Sequence, residues 1–185
     1  MFEGVNMFGF GGKRRYRKAA GKVGVLIHGQ ILDALASHKK LFQKSEEVAF
    51  TSGYLKSFFW SVLNRHGCND MTLQLRLLRS TCDKVSPGRL WEIYQSGAEL
   101  ADPLTKSYKP GCMNAYELGV TAGLNDAEEG AAANVTPVNL TRYLLGKRLL
   151  GPAFTEEDTL QLKAAPVAAD ANLKAKSKEV FSVPD

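Results

Sequence analysis

Polar side chains recur every three or four residues through most of this chain, and that spacing limits the fold to helices. In residues 19–42, the polar positions Gln30, Asp33, Ser37 and Lys40 follow this interval. Side chains spaced in this way share one face of an α-helix. No segment shows the sustained two-residue alternation that is typical of a half-buried strand. The pattern therefore predicts an all-α fold.

Helix-boundary signals divide the chain into about six predicted helices. Gly67 stops the second helix, Pro87 opens the fourth, and Gly151 with Pro152 closes the sixth. Proline is favoured in the first turn of a helix, and glycine is favoured just beyond the last turn. Residues 124–134, between the last two helices, are predicted to form a loop, with a weak helical turn inside it as the alternative. The predicted helices cover residues 19–42, 45–66, 70–84, a segment that begins at 87, 112–124 and 137–150.

The uneven distribution of charge predicts how the chain is organised. A chain of 185 residues suits one domain with tails. The net charge is +5, and residues 1–22 hold six cations and one anion, so the remaining residues are electroneutral. We predict a flexible, basic, glycine-containing N-terminal arm over residues 1–19 and a helical domain over 20–152. Residues 153–185 are predicted to be a flexible tail, in which TEEDTLQLK is a candidate short helix before an extended segment.

The cations are crowded before and within the start of the first predicted helix. Cations at this end oppose the helix dipole and repel one another, so helix stability does not explain them. A nucleic-acid phosphate backbone is the simplest partner, and a tyrosine among the cations could stack on a base. An anionic membrane surface, with Phe2, Met7, Phe8 and Phe10 as shallow anchors, is an alternative, as is a merely solubilising tail. The predicted nucleic-acid contacts are Lys13, Arg14, Arg15, Tyr16, Arg17, Lys18 and Lys22.

One cysteine is a candidate nucleophile. Cys112 follows Pro110 and Gly111 and opens a predicted helix, where the helix dipole lowers the pKa of a thiol. The candidate bases are His28, His38 and His66, and His66 is preferred because it ends a predicted helix beside a loop. The alternative function on this basis is a small cysteine-dependent hydrolase or transferase. The competing interpretation is a cysteine that fills space beside a turn.

The remaining sequence motifs do not support a cofactor or a metal. His66, Cys68, Cys82 and Cys112 lack the paired spacing of a zinc site. The segment around Lys22 lacks both the first glycine and the hydroxyl residue of a phosphate-binding loop. The sequence therefore predicts no metal and no cofactor.

The aromatic run Phe58, Phe59 and Trp60 is predicted to be a partner interface. Three cysteines, few and odd in number, favour a reducing compartment such as the cytoplasm or the interior of a particle. A secretory signal or a mitochondrial transit peptide is the alternative interpretation of the N-terminus. The function predicted from these features is a non-enzymatic structural or accessory component of a larger assembly, such as a phage or viral particle or a ribonucleoprotein complex. A membrane-surface adaptor is a further alternative.

Overall fold

The computed structural model describes residues 9–38, 40–132 and 135–155. These residues form six α-helices, and none of them lies in a strand. The prediction of an all-α fold with about six helices is confirmed. In chain order the helices are α1 (Gly9–Ser37), α2 (Ser45–Arg65), α3 (Met71–Val85), α4 (Arg89–Ala101), α5 (Pro110–Ala132) and α6 (Asn139–Leu144).

The first helix starts at Gly9 rather than near residue 19, which corrects the predicted extent of the N-terminal arm. Ala19, Val23 and Ile27 are buried, and they repeat every four residues along one face of α1. Tyr16 packs against the same core. Because this face is held by tertiary contacts, the helix continues through the basic segment. Residues 1–8 lie outside the described part of the chain.

The C-terminal boundaries also differ from the predicted ones. Helix α5 continues to Ala132, through most of the predicted loop, because Asp126 and Ala127 are buried against other helices. Helix α6 ends at Leu144, and Gly146 has a φ of 62°, a conformation that stops a helix. The domain also extends beyond residue 152, since Phe154 is buried in the core. The candidate helix TEEDTLQLK lies almost wholly outside the described residues.

Helix α2 occupies the centre of the domain. Its buried residues include Phe50, Tyr54, Leu55, Phe59 and Leu63, which face several directions around its axis. A helix that is buried over most of its circumference must be surrounded by other elements. Helices α4 and α5 are the main packing partners of α2, and α1 and α6 also pack against it.

Glycines bring α2 and α5 into backbone contact. A Cβ atom added at Gly119 would collide with the carbonyl oxygen of Phe50, and one added at Gly123 would lie 2.6 Å from that of Tyr54. The contact advances by four residues on each helix, from Gly119 to Gly123 on α5 and from Phe50 to Tyr54 on α2. The two helices therefore run parallel. On α2, Gly53 approaches the backbone of α5 in the same way. Only glycine permits backbones to approach this closely.

A buried hydrogen-bond network joins α1, α2, α5 and α6. The Tyr54 hydroxyl donates to Asp126 Oδ2 at 2.8 Å and accepts from Gln30 Nε2 at 2.8 Å. The Asn139 side chain donates to Asp126 Oδ1 at 2.8 Å and to the Leu150 carbonyl at 2.8 Å. Gln30 Oε1 also accepts the backbone N–H of Leu140. Because buried polar groups are costly when unpaired, this network fixes where α1 crosses the domain.

Candidate nucleic-acid interface

The N-terminal half of α1 presents a row of exposed cations to solvent. Arg14, Lys18 and Lys22 repeat every four residues and therefore lie along one side of the helix, with Lys13 and Arg17 on a neighbouring side. No acidic residue lies between Glu3 and Asp33 in the sequence, so α1 supplies no carboxylate to this segment. We call Lys13, Arg14, Arg17, Lys18 and Lys22 the α1 basic surface.

Two of the predicted contact residues are engaged within the domain. The Arg15 guanidinium donates to the backbone carbonyl of His66, and the Tyr16 hydroxyl donates to that of Gly67 at 3.1 Å. These carbonyls lie at the C-terminal end of α2, which carries the negative end of the helix dipole. Arg15 and Tyr16 therefore have a structural role, which the sequence did not indicate.

A groove separates α1 from α3 beside the α1 basic surface. Its volume is about 620 Å³. The groove exists because α1 has small residues on this side: a Cβ atom added at Gly21 would meet nothing within 4 Å. Further along, at Gly24, the helices are in contact, since a Cβ atom there would lie 2.8 Å from the Thr81 methyl group.

The groove combines an apolar floor with a positively charged, hydroxyl-bearing rim. None of the described residues that line it is acidic. Arg17 and His28 come from α1, and Ser80, Thr81 and Lys84 come from α3. Aliphatic side chains supply the floor. They are Ala20, Leu77 and Val85, whereas Val25 is 73% exposed and lies at the edge.

No sequence pattern marks the α3 side of this groove. Ser80, Thr81 and Lys84 look like ordinary positions on an amphipathic helix, and only the packing of α3 on α1 brings them to the rim. The small residues at 20, 21 and 24 are the one sequence signal that could have indicated a cleft. Such a signal marks a close approach or a gap without distinguishing between them.

The predicted catalytic pair is not assembled. Cys112 is fully buried near the start of α2, where the Ser45 side chain hydrogen-bonds it, whereas His66 follows the last residue of α2. A helix of this length spans ~30 Å at ~1.5 Å per residue. Burial, reinforced by the charge of Glu46, raises the pKa of the Cys112 thiol to about 11. The thiol is therefore protonated near neutral pH and has no imidazole from His66 to activate it.

The predicted aromatic interface is corrected at two of its three positions. Phe58 and Phe59 are 2% and 0% exposed and belong to the core. Trp60 is partly buried and packs against the same core. The apolar side chains that do reach solvent lie elsewhere, and three of them are on α1: Val25, Leu32 and Leu35.

A metal site, a membrane-spanning helix or a similar protein would each indicate a function. Among residues 9–38, 40–132 and 135–155, no group of three or more His, Cys, Asp and Glu side chains is arranged to hold a metal ion. None of the helices formed by these residues is both long and apolar enough to cross a bilayer. Comparison with family models, with curated proteins and with solved structures finds no match for the chain.

Proposed function

We propose that this chain is a non-enzymatic component of a larger assembly and that it contacts nucleic-acid phosphates through the α1 basic surface. The observation that carries the proposal is the exposure of five cations on a helix segment that has no acidic residue of its own. Cations crowded on one helix segment repel one another, so an external anion would stabilise them. A phosphate backbone supplies regularly spaced anions.

Two features of the domain support α1 as the contact element. Arg15 and Tyr16 tie the basic segment to the end of α2, so the neighbouring cations project from a held helix. Gln30 ties the middle of the same helix into the buried network. A pre-organised cationic surface loses less conformational entropy on binding than a free arm does.

Fluorescence anisotropy across a salt series tests the phosphate contact. The full chain is compared with a variant carrying Lys13→Gln, Arg14→Gln, Lys18→Gln and Lys22→Gln, which leaves Arg15, Tyr16 and Arg17 intact. If the cations neutralise phosphates, log affinity falls against log salt with a slope of roughly −3 to −5. The variant should lose most of that slope. Absence of binding by the full chain at low salt would refute the proposal.

A charge-matched control separates a local site from general attraction. Lys40, Arg89, Lys106 and Lys147 are exposed and lie outside the α1 basic surface. Changing these four to Gln lowers the net charge by the same amount. We expect this control to keep most of the affinity and slope of the full chain. If both variants lose equally, net charge is responsible and the α1 surface is not a site.

The assembly role rests on the apolar side chains that α1 leaves in solvent. Val25, Leu32 and Leu35 are 73%, 50% and 42% exposed, and they follow the basic surface along the same helix. A cluster of this kind suits a protein contact. We expect Leu32→Glu with Leu35→Glu to abolish a protein cross-link that the full chain forms in its native cells. Leu104→Glu, at a 94% exposed position between α4 and α5, is the matched control. Identical cross-links from both variants would exclude this face as the contact.

A further inference from the structure

We infer that the groove between α1 and α3 receives an unpaired nucleotide, so that the protein binds single-stranded nucleic acid in preference to a duplex. This inference rests on the proposed function, because the groove opens beside the α1 basic surface and shares Arg17 with it. It adds the form of nucleic acid that is recognised.

The volume of the groove suits a ligand of the size of one nucleotide. A volume of about 620 Å³ lies within the range of small-ligand sites, which is roughly 300 to 1,000 Å³. The space is not occupied by the chain itself, since a Cβ atom at Gly21 would meet nothing within 4 Å. A planar base could therefore enter without displacing the helices.

The chemistry matches a base with a phosphate on each side. Aliphatic residues on the floor suit the face of a base, and the hydroxyl of the exposed Ser80 can hydrogen-bond its edge. Arg17 lies towards the start of α1, whereas Lys84 is on the turn of α3 that packs beside Gly24. The two cations are thus separated along the groove, so each can contact a different phosphate. Arg17 and His28 are also side chains on which a base can stack.

The position explains why a duplex would not use the groove. In a duplex the bases are stacked and paired inside the helix, so only its phosphates reach the α1 basic surface. An unpaired base can leave the strand and enter the groove while its phosphates stay on the cations. Electrostatics alone favours the duplex, because its charge density is higher than that of a single strand. A preference for the single strand would therefore indicate that a base enters the groove.

The test compares a labelled DNA strand with the same strand annealed to its complement, at one salt concentration. The groove is blocked by Gly21→Leu, which adds bulk without changing charge. Gly29→Leu is the control: it lies on the same helix, a Cβ atom there also meets nothing within 4 Å, and it does not line the groove. Thermal unfolding confirms that both variants fold.

We expect the full chain to prefer the single strand by about tenfold, the value of one stacked base. Gly21→Leu should lose this preference and keep its affinity for the duplex, whereas Gly29→Leu should retain both. Equal binding of the two forms by the full chain, or an unchanged preference in Gly21→Leu, overturns the inference. The proposed function would survive either result, and in this experiment it fails if neither form binds. An RNA strand of the same sequence distinguishes a ribose from a deoxyribose backbone.

Discussion

Glycine has opposite roles at Gly119 and Gly123, between α2 and α5, and at Gly21, between α1 and α3. At the first interface, Gly119 and Gly123 let two backbones come into contact, and no space remains. At the second, Gly21 leaves a groove that the chain does not fill. The first arrangement stabilises the core, and the second exposes a surface. The same residue type therefore marks structure in one place and a candidate site in another.

The largest effect should come from adding a methyl group at the filled interface. Gly119→Ala places a Cβ atom against the carbonyl of Phe50, and the backbone of a buried helix cannot move away easily. We expect a loss of more than about 2 kcal/mol in the free energy of unfolding. Urea denaturation measures this loss.

Gly21→Ala is the matched change at the open interface. No atom lies within 4 Å of the added methyl group, and alanine is a better helix former than glycine. We expect a gain of up to about 1 kcal/mol in the free energy of unfolding. If Gly21→Ala and Gly119→Ala destabilise the protein equally, the two interfaces do not differ as described.

The next largest effect should come from the buried network, which holds α1 beside the rest of the domain. In Asp126→Asn, one side-chain oxygen is replaced by an NH₂ group that must face the donors of Tyr54 or Asn139. A buried polar group left without a partner costs about 1 to 3 kcal/mol. We expect a loss of this size in the free energy of unfolding. A variant as stable as the full chain would show that the network does not secure the fold.

The same carboxyl group should make stability depend on pH. Burial raises the pKa of Asp126 above its usual value, although hydrogen bonds from Asn139 and Tyr54 act in the opposite direction. The folded state then binds more protons than the unfolded state between the two pKa values. Stability should therefore fall as the pH rises from about 4 through the raised pKa, by about 1.4 kcal/mol for each pKa unit.

Subtracting the Asp126→Asn curve isolates this contribution. Burial also raises the pKa of Glu47, and that group is present in both proteins. The stability of the full chain relative to the variant should increase as the pH falls. A relative stability that decreases on acidification would mean that the hydrogen bonds to the carboxylate outweigh its burial.

Periodicity was sufficient to predict the helices, but not the contacts between them. The all-α class follows from side-chain spacing, which is local information. Helix α5 passes through Asn125, Asp126 and Gly130, which locally favour a loop, because the bonds of Asp126 to Tyr54 and Asn139 come from distant segments. The run Phe58–Phe59 looked like an interface because the sequence does not show that α2 is enclosed by other helices.

The basic segment illustrates the same limit at the candidate site. Its charge was evident in the sequence, but seven residues were predicted to act alike. The structure separates them: Arg15 and Tyr16 bind the end of α2, and the others remain on the solvent side. The partner carbonyls belong to residues about fifty positions away. No local pattern could assign the two roles.

The smallest effect should distinguish those roles. Arg15→Gln weakens the bond to the His66 carbonyl and removes a cation from the negative end of α2. Arg14→Gln removes the same charge from the solvent side of α1. We expect Arg15→Gln to lower the melting temperature by about 2 °C and Arg14→Gln to leave it unchanged. For nucleic-acid affinity the order should reverse, because only Arg14 is free to reach a phosphate. If Arg15→Gln weakens binding more than Arg14→Gln and does not affect melting, the division between a structural and a binding cation is wrong, and the cluster acts as a single charged surface.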